Sequence, residues 1–346
     1  MAKVLEHHYF SNAVVLLLVV AGVWLVLRLR NHELWVSAAR ELWRRRPFAI
    51  VVLGVYVTIG ALDGVAWVDG QAQGEDVVAA YEPQSVIDRL FGGRRESSFS
   101  APFASTEFYG SPPRPLVYPG KHPLGTDQIG RDTLHMTLKG VRVAILIGGL
   151  TSLLAIPLAL LFGVSAGYFG RRVDDVVFFV MSTLASIPGV LLLIALIMAM
   201  GRGTLQVCIA LAVTSWVSFS RITRGETMKL RELDYVHAAR LMGVSEFRII
   251  WRHILPNLVH LVVITFVLMF SGLVLVEAVL AWLNIGADGS WGQMIAQAKD
   301  ELSRDPPVVW NVLSAGVSMF GLLLAINSIG DAVRDILDPR TLREGE

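Results

Sequence analysis

Long runs of residues without a single charge constrain this chain more than anything else in it. Val143–Phe169, Val176–Met200 and Pro306–Gly330 contain no Asp, Glu, Lys or Arg. A bilayer core of about 30 Å is crossed by roughly 20 apolar helical residues, and each run is longer than that. The runs are apolar on every face, whereas a spanning β-barrel would show short segments of alternating polarity. The expected fold class is therefore all-α, a polytopic membrane helical bundle. Composition agrees, with 17% charged residues against about 25% in soluble domains. Disorder, a collagenous chain and a disulfide scaffold are excluded together. Cys208 is the single cysteine, so no internal disulfide can form. It sits in an apolar block and reads as a small buried hydrophobe.

Seven apolar segments stand out, at 9–27, 47–67, 143–169, 175–200, 203–220, 258–283 and 307–330. The first follows one lysine, Lys3, and ends in Arg28-Leu29-Arg30 with no small-residue cleavage site. It reads as a retained span rather than a signal peptide. Orientation follows from Lys and Arg in short loops. Arg28, Arg30, Arg40, Arg44, Arg45 and Arg46 follow the first segment, and Arg171 and Arg172 follow the third. Arg221, Arg224, Lys229, Arg231, Arg240, Arg248 and Arg252 follow the fifth, and Arg334, Arg340 and Arg343 close the chain. The other side carries Lys3, Arg202, Lys299 and Arg304, with a long loop that counts for little. The expected topology has the N-terminus outside, the C-terminus in the cytoplasm and residues 221–256 cytoplasmic. The net charge of +1 gives no case for a nucleic-acid partner.

The long external loop, 68–140, begins acidic and then turns rich in proline, from Pro102 to Pro123. It reads as an irregular cap with short helices, one of them around Ser85–Phe91. Four parts of the chain are expected. Residues 1–46 form an anchor span and a basic loop, and 47–140 a span and the external loop. Residues 141–340 form the core membrane domain, and 341–346 a tail.

The cytoplasmic stretch from Glu226 to Asn257 is amphipathic. Leu233, Val236, Ala239 and Leu241 could line one stripe, and Phe247, Ile250, Trp251 and Ile254 another. Gly243 can take the left-handed conformation that ends a helix, and Ser245 can cap the next. The expected arrangement is helix, tight turn, helix, with Pro256 opening the sixth span. An amphipathic hairpin on the inner leaflet is one reading. A DNA-binding helix-turn-helix is a second, from Ala239, Gly243, Val244 and Ser245. That motif needs a third helix and a small core, and here both ends run into spans. The third reading is a docking element, a short rigid lever between two spans.

Four motifs occur in order. Ala238-Ala239, Gly243 and Ile254-Leu255-Pro256 resemble the signature loop of ABC importer permeases, with His237 where that pattern has Glu. His122-Pro-Leu-Gly-Thr-Asp127, with Gly130-Arg131-Asp132, resembles the pre-span segment of dipeptide/oligopeptide-type permeases, C-type subunit. Glu277 to Gly286 with Ser290-Trp291-Gly292 is a third match, and Gly330-Asp331 to Asp338-Pro339-Arg340 a fourth. The resemblance implies a type I ABC importer permease with an extra N-terminal span. It implies four kinds of partner: a B-type second permease, one or two cytoplasmic ATPases, an extracytoplasmic substrate-binding protein, and the bacterial inner membrane. The cargo implied is dipeptides or oligopeptides, moved by alternating access. His237, Ala238, Ala239, Gly243, Ser245, Ile254, Leu255 and Pro256 would couple the chain to the ATPases. Asp127, Arg131, Asp132 and Glu277 would form an external gate or contact the binding protein.

The residues fit that division of labour. A phosphate-binding loop needs Gly-x-x-x-x-Gly-Lys-Ser/Thr, and the chain has none. No cofactor is expected on this chain, and ATP and Mg belong to the partner subunits. No metal motif appears, His7-His8 alone being too little. No enzyme signature is present, so a non-enzymatic pore subunit is expected. An ion-coupled secondary transporter is the alternative, and it should hold carboxylates near the bilayer midplane. Glu277 is an ionisable residue inside a span, and either a structural or a functional role is open to it. Pro157 and Pro188 could kink their helices, and Gly148-Gly149 suits close packing. Trp216, Trp282 and Trp291 read as interfacial anchors.

Overall fold

The computed structural model describes residues 40–67, 84–91, 95–109, 111–201 and 203–337, with Ala13, Leu16 and Val20. The first expected span, 9–27, otherwise lies outside the described residues, as do Asp338, Pro339, Arg340 and the tail. The first six helices are α1 Pro47–Gly64, α2 Val86–Phe91, α3 Thr133–Ile145, α4 Thr151–Phe169, α5 Arg171–Ser186 and α6 Gly189–Met200. The next six are α7 Thr204–Arg231, α8 Asp234–Leu241, α9 Glu246–Ile249, α10 Leu255–Trp282, α11 Trp291–Leu302 and α12 Trp310–Leu337. A two-residue antiparallel ladder pairs β1, Ala66–Trp67, with β2, Gln84–Ser85. Among the described residues, five helical stretches are long and apolar enough to cross a membrane, or six with one bent pair.

Several boundaries move from their expected places. The span expected at 143–169 is a continuous helical stretch from Thr133 to Phe169, with a π-helical turn at Leu146–Leu150. It starts early because Asp132 accepts hydrogen bonds from the N–H groups of Leu134 and His135, at 2.7 and 3.2 Å, which caps α3. The span expected at 175–200 is broken: α5 and α6 meet at 91°. Pro188 has no N–H to continue the ladder and biases Ile187 to extended backbone. The span expected at 203–220 continues through its basic residues to Arg231. The span expected at 258–283 is continuous from Glu246 to Trp282. A π-helical turn at Ile250–Ile254 lies just before Pro256. It shifts the ladder so that the N–H of Leu255 reaches the carbonyl of Ile250. Pro256 therefore does not begin a helix but is absorbed inside one.

The chain divides into two compact units, Met1–Ile147 with Val274–Ile326, and Gly148–Leu273 with Asn327–Glu346. In the first unit the irregular segment 95–132 is fixed by side chains of its own and of the chain around Trp310. Phe99, Val308 and Trp310 form a small cluster under it, and the Trp310 indole donates to the carbonyl of Thr126 at 2.9 Å. Trp291 is buried and donates to the Thr137 carbonyl at 2.9 Å, so it is not an interfacial anchor. Asp88 on α2 accepts from His135 at 2.8 Å and Lys139 at 2.6 Å. Partial burial alone would raise its pKa, but these two partners hold the carboxyl below the usual range.

Gly130 shows how tightly segment 95–132 is closed. Its φ is +75°, and a Cβ there would stand 1.9 Å from the carbonyl oxygen of Glu96. Gly130→Ala should open the segment, since the left-handed backbone alone costs about 1–2 kcal/mol before the clash is counted. Trypsin should cut after the exposed Lys121 sooner in the variant than in the parent, both in detergent. Equal resistance would mean that the close approach does not hold the segment.

In the second unit α4 lies along α7. Ala155, Ala159, Gly163 and Gly167 recur every fourth residue on α4, the small-residue seam that lets membrane helices approach closely. A Cβ on Gly167 would stand 2.5 Å from the carbonyl of Arg224. Trp216 is buried against Phe162 with ring centroids 4.8 Å apart. It too is core rather than anchor, because α7 continues well past it; Trp282 alone of the three tryptophans is exposed. Pro157 sits inside α4 without ending it. A Cβ on Gly148 would strike the Phe270 ring at 2.6 Å, so that glycine serves packing.

Candidate functional site

The hairpin between α7 and α10 is built as the sequence suggests, with one inversion. α8 ends at Gly243, whose φ is +78°. The N–H of Gly243 reaches the carbonyl of Arg240 at 3.0 Å, and that of Val244 reaches Ala239 at 3.1 Å. That pair of bonds is a Schellman closure. Ser245 holds the N-cap position of α9, but its hydroxyl makes no capping bond.

The apolar residues sort differently from the expected stripes. Val236, Ala239, Ile249, Ile254 and Leu258 are buried together with Val164 and Tyr168 of α4. Ile250 packs against the same cluster, while others point outward: Leu241 is 90% exposed, Met242 and Phe247 76%, and Trp251 67%. Phe247 and Trp251 stack on each other, with centroids 6.5 Å apart and planes 13° apart. The hairpin thus has a dry inner face and an apolar tip that nothing in the described chain covers. His237 is half exposed with Nε2 3.6 Å from the Glu232 carboxylate. Ala238, Gly243, Ser245 and Pro256 are exposed, Leu255 is half-buried, and Ala239 and Ile254 are buried.

Beneath the tip lies a polar cluster that no sequence spacing announces, because its members come from distant parts of the chain. The Tyr168 hydroxyl donates to Glu246 and accepts from Arg240 at 3.2 Å. Arg240 Nε lies 3.4 Å from Glu246, and its guanidinium sits over the Tyr168 ring at 5.6 Å. The bond to Tyr168 comes first in raising the Arg240 pKa above its ordinary value. Arg231 donates to the Gly167 carbonyl at 2.9 Å, and Arg224 grips Asp174 of α5 with two bonds of 2.5 and 2.6 Å. The Arg231 guanidinium holds the exposed Glu232 carboxyl below its usual range.

The second expected set divides into three inward-facing groups and one on the surface. Asp127 is buried; it accepts from the backbone N–H of Arg131 at 2.8 Å and from that guanidinium at 2.7 and 2.8 Å. Asp132 is buried under its cap and lies 2.8 Å from His122 Nδ1. Glu277 is buried and accepts from the Ala287 N–H at 3.1 Å, which ties down the turn after α10. Arg131 alone has a partly exposed side chain. The sequence reading did not mark Glu301, which is buried on α11. It accepts from Asn311 at 2.8 Å, and Asn311 in turn accepts from Thr133 at 2.5 Å. Burial raises the Glu301 pKa. Among the described residues no cluster of His, Cys, Asp and Glu could hold a metal ion.

Residues 159–343 match the family described as binding-protein-dependent transport system inner membrane component. A Brucella suis biovar 1 protein, named as a permease of a peptide transport system, is 33% identical over 314 residues. That match covers 90% of this chain and 93% of the relative. The oligopeptide transport system permease protein OppC of Bacillus subtilis is 31% identical over 226 residues, covering 63% of this chain and 72% of the relative. A solved structure of the inward-facing MetNI methionine ABC transporter aligns with a TM-score of 0.49 and 19% identity. It covers 59% of this chain and 97% of that one.

Proposed function

The chain belongs to the family of binding-protein-dependent transport system inner membrane components, and we propose that it is the C-type permease of a peptide importer, driven through the tip of its α8–α9 hairpin. It is a multi-pass inner-membrane permease subunit of an ABC importer. Such a subunit works with ATPases and a substrate-binding protein. The finer points are our reading. Cargo is dipeptides or oligopeptides, on the names of the relatives. The pore is completed by a second, B-type permease. One or two ATPases carry the ATP and Mg, and this chain carries no cofactor. In this reading the hairpin and the C-terminus lie in the cytoplasm, an orientation that the arginine-rich short loops support.

One observation carries the proposal: an apolar tip on a hairpin whose other face is already buried. An exposed cluster of Leu, Met, Phe and Trp marks a partner surface. In this reading His237, Ala238, Gly243 and Ser245 lie along that surface. Ala239, Ile254, Leu255 and Pro256 seat the hairpin on the spans. Closure of the ATPase pair on ATP would push the tip and switch the bundle between two packed arrangements. Toward the binding protein, Arg131 offers the direct contact, while Asp127, Asp132 and Glu277 hold the surface in shape.

Mass spectrometry of the intact complex, solubilised gently through a tag on this chain, tests the proposal. A second permease and one or two P-loop ATPases should be recovered. Phe247→Asp with Trp251→Asp should still insert but lose the ATPases. Recovery of this chain alone, under conditions that preserve related complexes, would overturn the reading. Uptake of radiolabelled trialanine by proteoliposomes, with the binding protein and ATP supplied, tests the cargo.

A further inference from the structure

The tip explains where force would be applied, but not how it leaves the hairpin. α8 and α9 join only a short turn at Gly243, and their buried face is apolar. Apolar contacts slide, whereas a directional bond network fixes one arrangement. Among the described residues, the polar network under the tip joins the hairpin to the end of α4, beside a single bond from Asn257 of α10 to the Tyr235 hydroxyl at 3.3 Å. Tyr168 is buried, so its ring is held by packing while its hydroxyl reaches Glu246 and Arg240. Glu246 opens α9 and Arg240 closes α8, so the hydroxyl binds both arms of the hairpin at once. Each charge also suits its helix end, acidic at the N-terminus and basic at the C-terminus. From α4 the connection continues. Arg231 at the end of α7 donates to the carbonyls of Gly167 and Tyr168 at 2.9 and 3.4 Å. Arg224 and Asp174 tie α7 to α5.

We propose that Tyr168 is the joint of the coupling device: a positioning residue whose hydroxyl, held by Glu246 and Arg240, locks the docking hairpin to α4 so that hairpin, α4, α5 and α7 move as one body. The proposal rests on the importer reading above and adds the route by which ATP-driven motion enters the bundle. Tyr168 itself takes no part in docking, since it lies under the hairpin and not on its tip.

Tyr168→Phe removes the hydroxyl and keeps the ring, so the apolar packing survives. In the reconstituted transporter the variant should bind its ATPases as the parent does. It should move about tenfold fewer trialanine molecules per ATP, within the usual range of coupling between sites. In the Tyr168 parent, Glu246→Gln, which keeps an acceptor for the hydroxyl, should keep most of the yield, and Glu246→Ala should resemble Tyr168→Phe. A distance measurement reads the joint directly. Spin labels at Asp234→Cys and Leu161→Cys, in a Cys208→Ser background, should show one narrow separation with and without ATP and vanadate. Tyr168→Phe should broaden that distribution. An unchanged narrow distance with full yield per ATP overturns the proposal. Loss of the ATPases in Tyr168→Phe also overturns it, because the hydroxyl would then serve docking. Should the parent itself recruit no ATPase, the importer reading falls, and the spin-label distance in the isolated chain still decides whether the joint exists.

Discussion

Gly243→Pro will leave the chain inserted in the membrane and lower substrate-stimulated ATP hydrolysis of the assembled transporter by about 100-fold, near the upper end of typical coupling between sites. Gly243 stands at φ +78°, and its N–H donates to Arg240 at 3.0 Å. Proline fixes φ near −65° and has no N–H, so both features are lost together. The turn then cannot close, and α8 and α9 cannot present one tip. The space around Gly243 is open: among the described residues, no atom beyond its two chain neighbours lies within 4 Å of a Cβ built there. The effect therefore comes from backbone conformation and not from crowding. That separation gives a graded series. Asn tolerates the left-handed region, so Gly243→Asn should keep most of the coupling. Gly243→Ala adds about 1–2 kcal/mol of strain without a clash and should fall between Asn and Pro. Stimulation and trialanine uptake should both follow the order Gly, Asn, Ala, Pro. Full stimulation in Gly243→Pro would show that the hairpin turn transmits nothing.

The same glycine shows what the sequence could disclose. Gly243 between two amphipathic stretches is a local signal, because helix termination depends on the few residues around it. Long uncharged blocks are equally local, and they placed the spans. What could not be read depends on neighbours far along the chain. Phe247 and Trp251 have the periodicity of a buried stripe, yet they face out while Ile249 and Ile254 face in. Periodicity marks an apolar face but cannot say whether the chain itself or a partner covers it. Trp216 looked like an anchor because the apolar run ends soon after it. α7 runs on as helix to Arg231, so Trp216 lies within the packed length. Pro188 and Pro256 carry the same residue with opposite outcomes, a 91° break and a continuous helix. The difference lies in the π-helical turn before Pro256, which sequence spacing does not reveal. Tyr168 and Glu246 are 78 residues apart, so no window on the sequence holds both. Asp127, Asp132 and Glu277 were legible as unusual polar groups, but their backbone partners were not.

Gly163→Ala should disrupt the second unit even though it adds only a methyl group. Its Cβ would lie 2.0 Å from the Thr223 hydroxyl and 2.6 Å from the carbonyl oxygen of Ser220. The first contact is a side chain and can turn away; the second is helix backbone and cannot. α4 and α7 must then move apart along a seam where Ala155, Ala159 and Gly167 also sit close to α7. Overpacking of this kind costs about 1–3 kcal/mol, a large part of the stability of an ordinary domain. Gly225→Ala on α7 is the matched control, since among the described residues its Cβ meets nothing beyond its own helix backbone within 4 Å, and it should not destabilise, gaining up to about 0.5–1 kcal/mol from the helix preference of Ala over Gly. Thermal unfolding in detergent, followed by the loss of monodisperse protein, should separate the two. Thr223→Ala in the Gly163→Ala background removes the nearest clashing atom and leaves the Ser220 carbonyl in place. It should recover part of the loss and not all of it, a non-additive result that only residues in contact produce. Complete recovery would assign the close approach to the hydroxyl alone, and no loss in Gly163→Ala would mean that the helices do not meet along this seam.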